Sequence, residues 1–124
     1  ADAFFKGGDA QPTVTRLALG ERRGIRDMVA VSDGVLLLAG PDDGSVSKGI
    51  DWQIFWWDGQ SAKALVRPKP LTLLDVSGVK LRSCDDTLKP EAITVLEETP
   101  TAYKLLVLSD GMCDGGALAF TVAR

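Results

Sequence analysis

Between Gly24 and Gly59 the chain reads GIRDMVAVSDGVLLLAGPDDGSVSKGIDWQIFWWDG, which is three short apolar runs, two Asp-Gly turns and one Asp-rich loop. Asp-Gly readily adopts the positive φ values of a type I′ hairpin turn, so this punctuation specifies closely turned antiparallel strands. The middle run, Val35 to Ala39, has no polar face, as expected of a strand covered on both sides. In Trp52 to Trp57, residues Trp52, Ile54 and Trp56 share one face and Gln53, Phe55 and Trp57 the other; aromatics in such a strand read as packing. The stretch has the length of most of a β-propeller blade. No segment shows a capped 3.6-residue apolar period, so the chain reads as all-β.

The same plan returns farther on. Met28 aligns with Ile93 and Phe55 with Phe120, an offset of 65 residues both times. RDMVAV then faces EAITVL, VLLLAGPDDG faces LLVLSDGMCDGG, and WQIFWW faces ALAFTV, with a second hairpin about five residues longer. Tyr103 to Leu108 reads as a second double-sided apolar strand. Ala62 to Val66 reads as the fourth strand of the first unit, and Pro68 and Pro70 confine the next few residues to an edge or loop. Pro12 to Leu19 alternates in the manner of an outer strand.

The reading is one all-β domain over residues 1–124. It holds two antiparallel, propeller-type blades at about 24–76 and 89–124, with 12–19 as an outer strand; a β-sandwich or barrel is the alternative. Two blades do not close a ring, since propellers have about four to eight. Such a chain either oligomerises with itself or belongs to a longer propeller chain.

Composition narrows the functions. With 14 Lys+Arg against 17 Asp+Glu the formal charge is −3, and no dense basic run is present, which argues against nucleic-acid or anionic-membrane partners. No apolar run approaches the roughly 18 residues that span a bilayer. The chain has no histidine, which excludes Ser-His-Asp and Cys-His chemistry and imidazole-ligated metal from this chain alone. The first residues, ADAFFK, show neither a signal-peptide pattern nor an initiator Met, so the expected protein is soluble and its compartment, cytoplasmic or periplasmic/secreted, stays open.

In a blade, the loop before the first strand and the loop between the second and third emerge on the same side. That geometry collects Arg26, Asp42, Asp43, Asp85, Asp86, Glu91, Asp110 and Asp114 on one rim, with the hairpins at Asp33-Gly34 and Asp58-Gly59 on the other. Arg26 and Glu91 occupy equivalent positions of the two units and read as an ion pair or as contacts for a polar ligand; with Asp42, Asp43 and Asp110 they form the candidate ligand-binding rim. Carboxylates gathered there are the ligands calcium takes, about six to eight oxygens at a time, which makes Asp42, Asp43, Asp110 and Asp114 the candidate metal ligands. Asp and Gly are equally the ordinary chemistry of turns. Cys84 and Cys113 fall in two loops of the same rim, either as a disulfide or as two separate thiols. No residue has the setting of a catalytic nucleophile.

Gly24-Ile25-Arg26-Asp27, Leu38-Ala39-Gly40-Pro41, Trp57-Asp58-Gly59, Lys89-Pro90-Glu91-Ala92 and Leu108-Ser109-Asp110-Gly111 together resemble an uncharacterised bacterial family, the domain of unknown function 3616. The resemblance runs from about Pro12 to the C-terminus and corresponds to the C-terminal part of that family's longer, propeller-like chain. It implies architecture and supplies no catalytic residues. The Lys-Pro-Glu-Ala element is more distantly similar to esterase-like and phytase-like propellers, which use acidic loop residues for calcium. Three functions stand as expectations: a ligand- or partner-binding module with an acidic rim, part of a calcium-assisted hydrolase, or a structural oligomer.

Overall fold

The computed structural model describes residues 14–41, 51–60 and 65–124. These form β1 (Arg23–Val31), β2 (Gly34–Pro41), β3 (Gln53–Trp57), β4 (Lys69–Leu73), β5 (Lys89–Glu98), β6 (Ala102–Asp110) and β7 (Leu118–Ala123), with one 3-10 turn at Cys113–Gly116. The protein is all-β. Strands β1-β2-β3-β4 make one antiparallel meander and β5-β6-β7 a second, neither of them closed.

The two sheets lie face to face, with β1 against β5. Leu36, Leu38, Trp52, Ile54 and Leu74 of the first half meet Ile93, Tyr103, Leu105, Val107 and Val122 of the second in one core. Leu37, Ala39 and Phe55 project from the opposite face of the first sheet and are covered by Leu17 and Leu19. Leu36, Leu37, Leu38 and Ala39 are all fully buried, so β2 is double-sided as its run of apolar residues requires. Each such leucine contributes about 1.5–3 kcal/mol on leaving water.

Several sequence expectations change. Strand β6 is not double-sided: Tyr103, Leu105, Val107 and Ser109 are buried while Lys104, Leu108 and Asp110 are exposed and Leu106 is half-buried, because among the described residues no layer covers the outer face of the second sheet. The fourth strand of the first sheet is Lys69–Leu73 rather than Ala62–Val66, of which only Leu65 and Val66 are described. Pro70 is accommodated because β4 is an edge strand and pairs with Phe55 beside a bulge. Of the expected outer strand at 12–19, residues 14–19 join neither sheet. They run as a strap whose Leu17 makes an isolated parallel bridge to Val66, with Ala18 N–H donating to the Val66 carbonyl and Val66 N–H to the Arg16 carbonyl, both at 2.8 Å.

Turn chemistry differs as well. Val31 pairs with Gly34 across a Ser32-Asp33 loop, and neither these loop residues nor Gly34 has a positive φ, so the turn is not type I′. Gly34 is required instead by a close approach, since a Cβ there would lie 2.3 Å from the Trp57 carbonyl oxygen. The Asp58-Gly59 turn does use a positive φ, +76° at Gly59.

Candidate functional site

The two first strands carry the same irregularity at the same place. The register of β1 against β2 slips between Ile25 and Asp27, and that of β5 against β6 slips between Pro90 and Ala92. The residues bulged out are Arg26 and Glu91, the pair singled out by the 65-residue offset. A bulge leaves its residue outside the ladder and re-aims the side chain. Here the two side chains meet, Arg26 Nη1 standing 3.5 Å from Glu91 Oε1, with 20% and 34% of the side chains exposed.

Arg26 Nη2 also donates to the carbonyl oxygen of Pro41, the last residue of β2. Its Nε is buried with no partner among the described residues, as are the Ser109 hydroxyl and Trp52 Nε1. Ser109 pairs with Pro90, next to Glu91, and is only 5% exposed. Trp52 packs against Gly40, where a Cβ would come within 2.5 Å of the indole nitrogen. The rim thus concentrates unsatisfied polar capacity at the same ends of both sheets. One residue on, Asp27 Oδ2 accepts the Ile93 N–H at 2.9 Å, which ties the two sheets together beneath the ion pair.

Asp42 and Asp43 lie outside the described residues. Asp110 stands exposed at the end of β6, opposite Lys89. Asp114 is 92% exposed and lies 3.9 Å from Arg82 Nη2. Neither belongs to a group of metal-competent side chains among the described residues. The one such group there is Cys84, Asp85 and Cys113, and its two sulfurs are joined.

The Cys84–Cys113 disulfide, Cα atoms 6.0 Å apart, links the loop before β5 to the 3-10 turn. Asp85 organises this corner. Its carboxylate accepts the N–H of Arg82 at 2.6 Å and of Cys113 at 2.7 Å, and Arg82 Nε approaches to 3.6 Å. Those backbone donors, that of Arg82 first, hold Asp85 below the usual carboxylate range. Arg82 Nη2 in turn donates to the Cys113 carbonyl at 2.9 Å. The groove beside it, about 380 Å³, is lined by Lys80, Arg82, Asp85, Met112 and Asp114 among others.

A second polar cluster, not singled out by the sequence, occupies the hairpin end. Asp33 accepts from Trp56 Nε1 and Tyr103 OH, each at 3.2 Å, and pairs with Arg124 Nη2 at 2.9 Å. Partial burial opposes its ionisation, but those three donors outweigh it and leave Asp33 below its ordinary value. Burial, then the nearby Asp33 charge, push the Tyr103 phenol up. Arg124 lies over the Tyr103 ring, 4.6 Å from its centroid. Glu98 accepts from the Ser32 N–H and hydroxyl on the same side. The signal available in the sequence was an Asp followed by Gly in a hairpin next to two aromatic-bearing strands; its partners lie 23, 70 and 91 positions away, beyond any local pattern.

Among the described residues no helix is long and apolar enough to cross a membrane. No family model matches the chain, and no curated protein and no solved structure matches it.

Proposed function

We propose that this chain is a non-catalytic binding module of the β-propeller type that takes a polar ligand or partner on its loop rim, with Arg26, Glu91 and Asp110 as contact residues. The observation that carries this reading is the Arg26–Glu91 pair. At 3.5 Å it is longer than a charge-assisted hydrogen bond of about 2.7–2.9 Å, and the buried guanidinium Nε has no partner among the described residues. Both side chains are held at bulges, which aim them at one another outside the ladders, with Arg26 also anchored by Nη2 on the Pro41 carbonyl. The sequence has no histidine, which removes Ser-His-Asp and Cys-His catalysis from this chain alone. The disulfide fits an oxidising, periplasmic or extracellular setting.

The test is a titration of the 15N-labelled protein with acetate, inorganic phosphate and calcium chloride in turn, read from amide shifts. Saturable shifts centred on Arg26, Glu91 and Asp110, lost in Arg26→Gln, are expected for at least one probe. Shifts confined to the Arg82 groove, or none with any of the three, overturn the assignment of the rim.

A further inference from the structure

Aligning the two bulges brings four successive residue pairs of the sheets into the same register. Asp27 with Leu38, Met28 with Leu37, Val29 with Leu36 and Ala30 with Val35 in the first sheet correspond to Ala92 with Leu108, Ile93 with Val107, Thr94 with Leu106 and Val95 with Leu105 in the second. The faces can therefore be compared residue by residue. The first sheet turns Val29, Val31, Leu36 and Leu38 toward the second, which answers with Ile93, Val95, Leu105 and Val107. The corresponding residues are not the same set: Val29, Leu36 and Leu38 match Thr94, Leu106 and Leu108, on the outer face of the second sheet, and Val31 falls where a second register slip in β5 sets exposed Leu96 beside Glu97. The sheets are stacked front to back.

Front-to-back stacking leaves two unlike ends. One is the outer face of the second sheet, where Leu96 is 59% and Leu108 38% exposed. The other is the strap-bearing face of the first sheet, where the strap covers Leu37 and Phe55 but Met28 stays 53% exposed; its counterpart Ile93, covered by the first sheet, is 6% exposed. The outer face of the second sheet thus exposes counterparts of residues that the first sheet buries, and beside the strap Met28 and Ala30 are exposed where their counterparts Ile93 and Val95 pack in the core, whereas Leu37, counterpart of Val107, is already covered. Exposed apolar patches of this kind mark interaction surfaces, and the internal junction states what they fit.

We infer that the outer face of the second sheet, centred on Leu96, Leu106 and Leu108, binds a second copy of this chain through the Met28 side of its first sheet, in a head-to-tail contact. Such a contact is heterologous: it uses a different surface on each partner, and it extends to a ring or a filament according to the rotation between copies. The contact does not depend on what the rim binds. Ala92 stands where the first sheet has Asp27, so the intermolecular junction has no carboxylate to do for the Met28 of the second copy what Asp27 does for Ile93 within the chain, and it is weaker than the internal one.

The test is sedimentation velocity of the whole chain over a concentration series. The wild type is expected to self-associate. Leu96→Lys and Met28→Lys, both at exposed positions, are each expected to weaken association roughly tenfold or more, because a lysine placed in the contact must be desolvated. Leu81→Lys, the same change on an exposed loop residue, leaves association as it is. Mixing Leu96→Lys with Met28→Lys restores a 1:1 complex that grows no further, since each variant keeps the face the other has lost. A wild type that stays monomeric at every concentration, or a mixture that fails to pair although both variants keep the wild-type circular dichroism, overturns the inference.

Discussion

The carboxylate of Asp27, on the first sheet, accepts the backbone N–H of Ile93, on the second, at 2.9 Å. Its other oxygen accepts the N–H of Met28 at 2.8 Å. One side chain therefore satisfies a donor on each side of the junction. Asp27→Ala leaves the Ile93 donor without a partner in a partly buried place, and is expected to cost about 1–3 kcal/mol. Asp27→Asn retains a carbonyl acceptor and loses less. Urea denaturation of the three proteins, compared by midpoint at constant slope, checks the order.

Gly40→Ala is expected to destabilise by about 1–3 kcal/mol, since its Cβ would meet the indole of buried Trp52 at 2.5 Å and force the ring to shift within the core. Gly78→Ala, with nothing within 4 Å of the new Cβ, serves as the control and stays close to wild type. Trp52 is a buried reporter, so tryptophan emission of Gly40→Ala should shift along with the thermal midpoint.

Reduction of Cys84–Cys113 releases a loop with a sequence separation of 29 and is expected to lower stability by about 2–4 kcal/mol. Denaturation midpoints with and without dithiothreitol measure this. A Cys84→Ser, Cys113→Ser double variant should reproduce the reduced protein and be insensitive to the reagent.

Stability should fall at both ends of the pH range. Asp33 and Asp85 are held below their ordinary values in the fold, so their contribution is present above the unfolded pKa of about 3.9 and is lost as pH falls through the lower folded values. Tyr103 is shifted upward, so its contribution is complete below about pH 10 and is lost as pH rises through the folded value. Chemical denaturation across a pH series should show both declines. Asp33→Asn flattens the acid limb and also reduces the alkaline one, because the Asp33 charge is one cause of the Tyr103 shift.

Strand order and chain direction were legible because they rest on local chemistry: short apolar runs, period-two faces and Gly punctuation. The Arg26–Glu91 relationship was legible for the same reason, as a spacing of 65 residues. The third-strand anchor was not. Phe120 pairs with Leu105, and the corresponding pair in the first sheet is Trp57 with Val35, so Phe55 and Phe120 are two residues out of step. Aromatic character alone carried that alignment, and it does not fix register. Leu106 and Leu108 looked like core because apolarity does not reveal whether a second layer exists. The Asp85 and Asp33 clusters escaped notice because their donors come from remote strands and from backbone N–H groups, which a side-chain pattern does not display. Of the calcium candidates, Asp110 and Asp114 are both exposed and Asp42 and Asp43 lie outside the described residues.

Each sheet is a meander of neighbours in sequence, and the two halves meet where β1 and β2 face β5 and where the edge strands β4 and β7 approach each other. The consequence concerns the order of events when the chain folds. Loop-closure entropy is small within each hairpin and large for joining Asp27 to Ile93. We expect the two halves to zip separately, from the Ser32-Asp33 and Thr99 turns outward, and to dock late. Pulsed hydrogen exchange would then show amides of β2 and β6 protected before the Ile93 amide, whose acceptor across the divide is the Asp27 carboxylate.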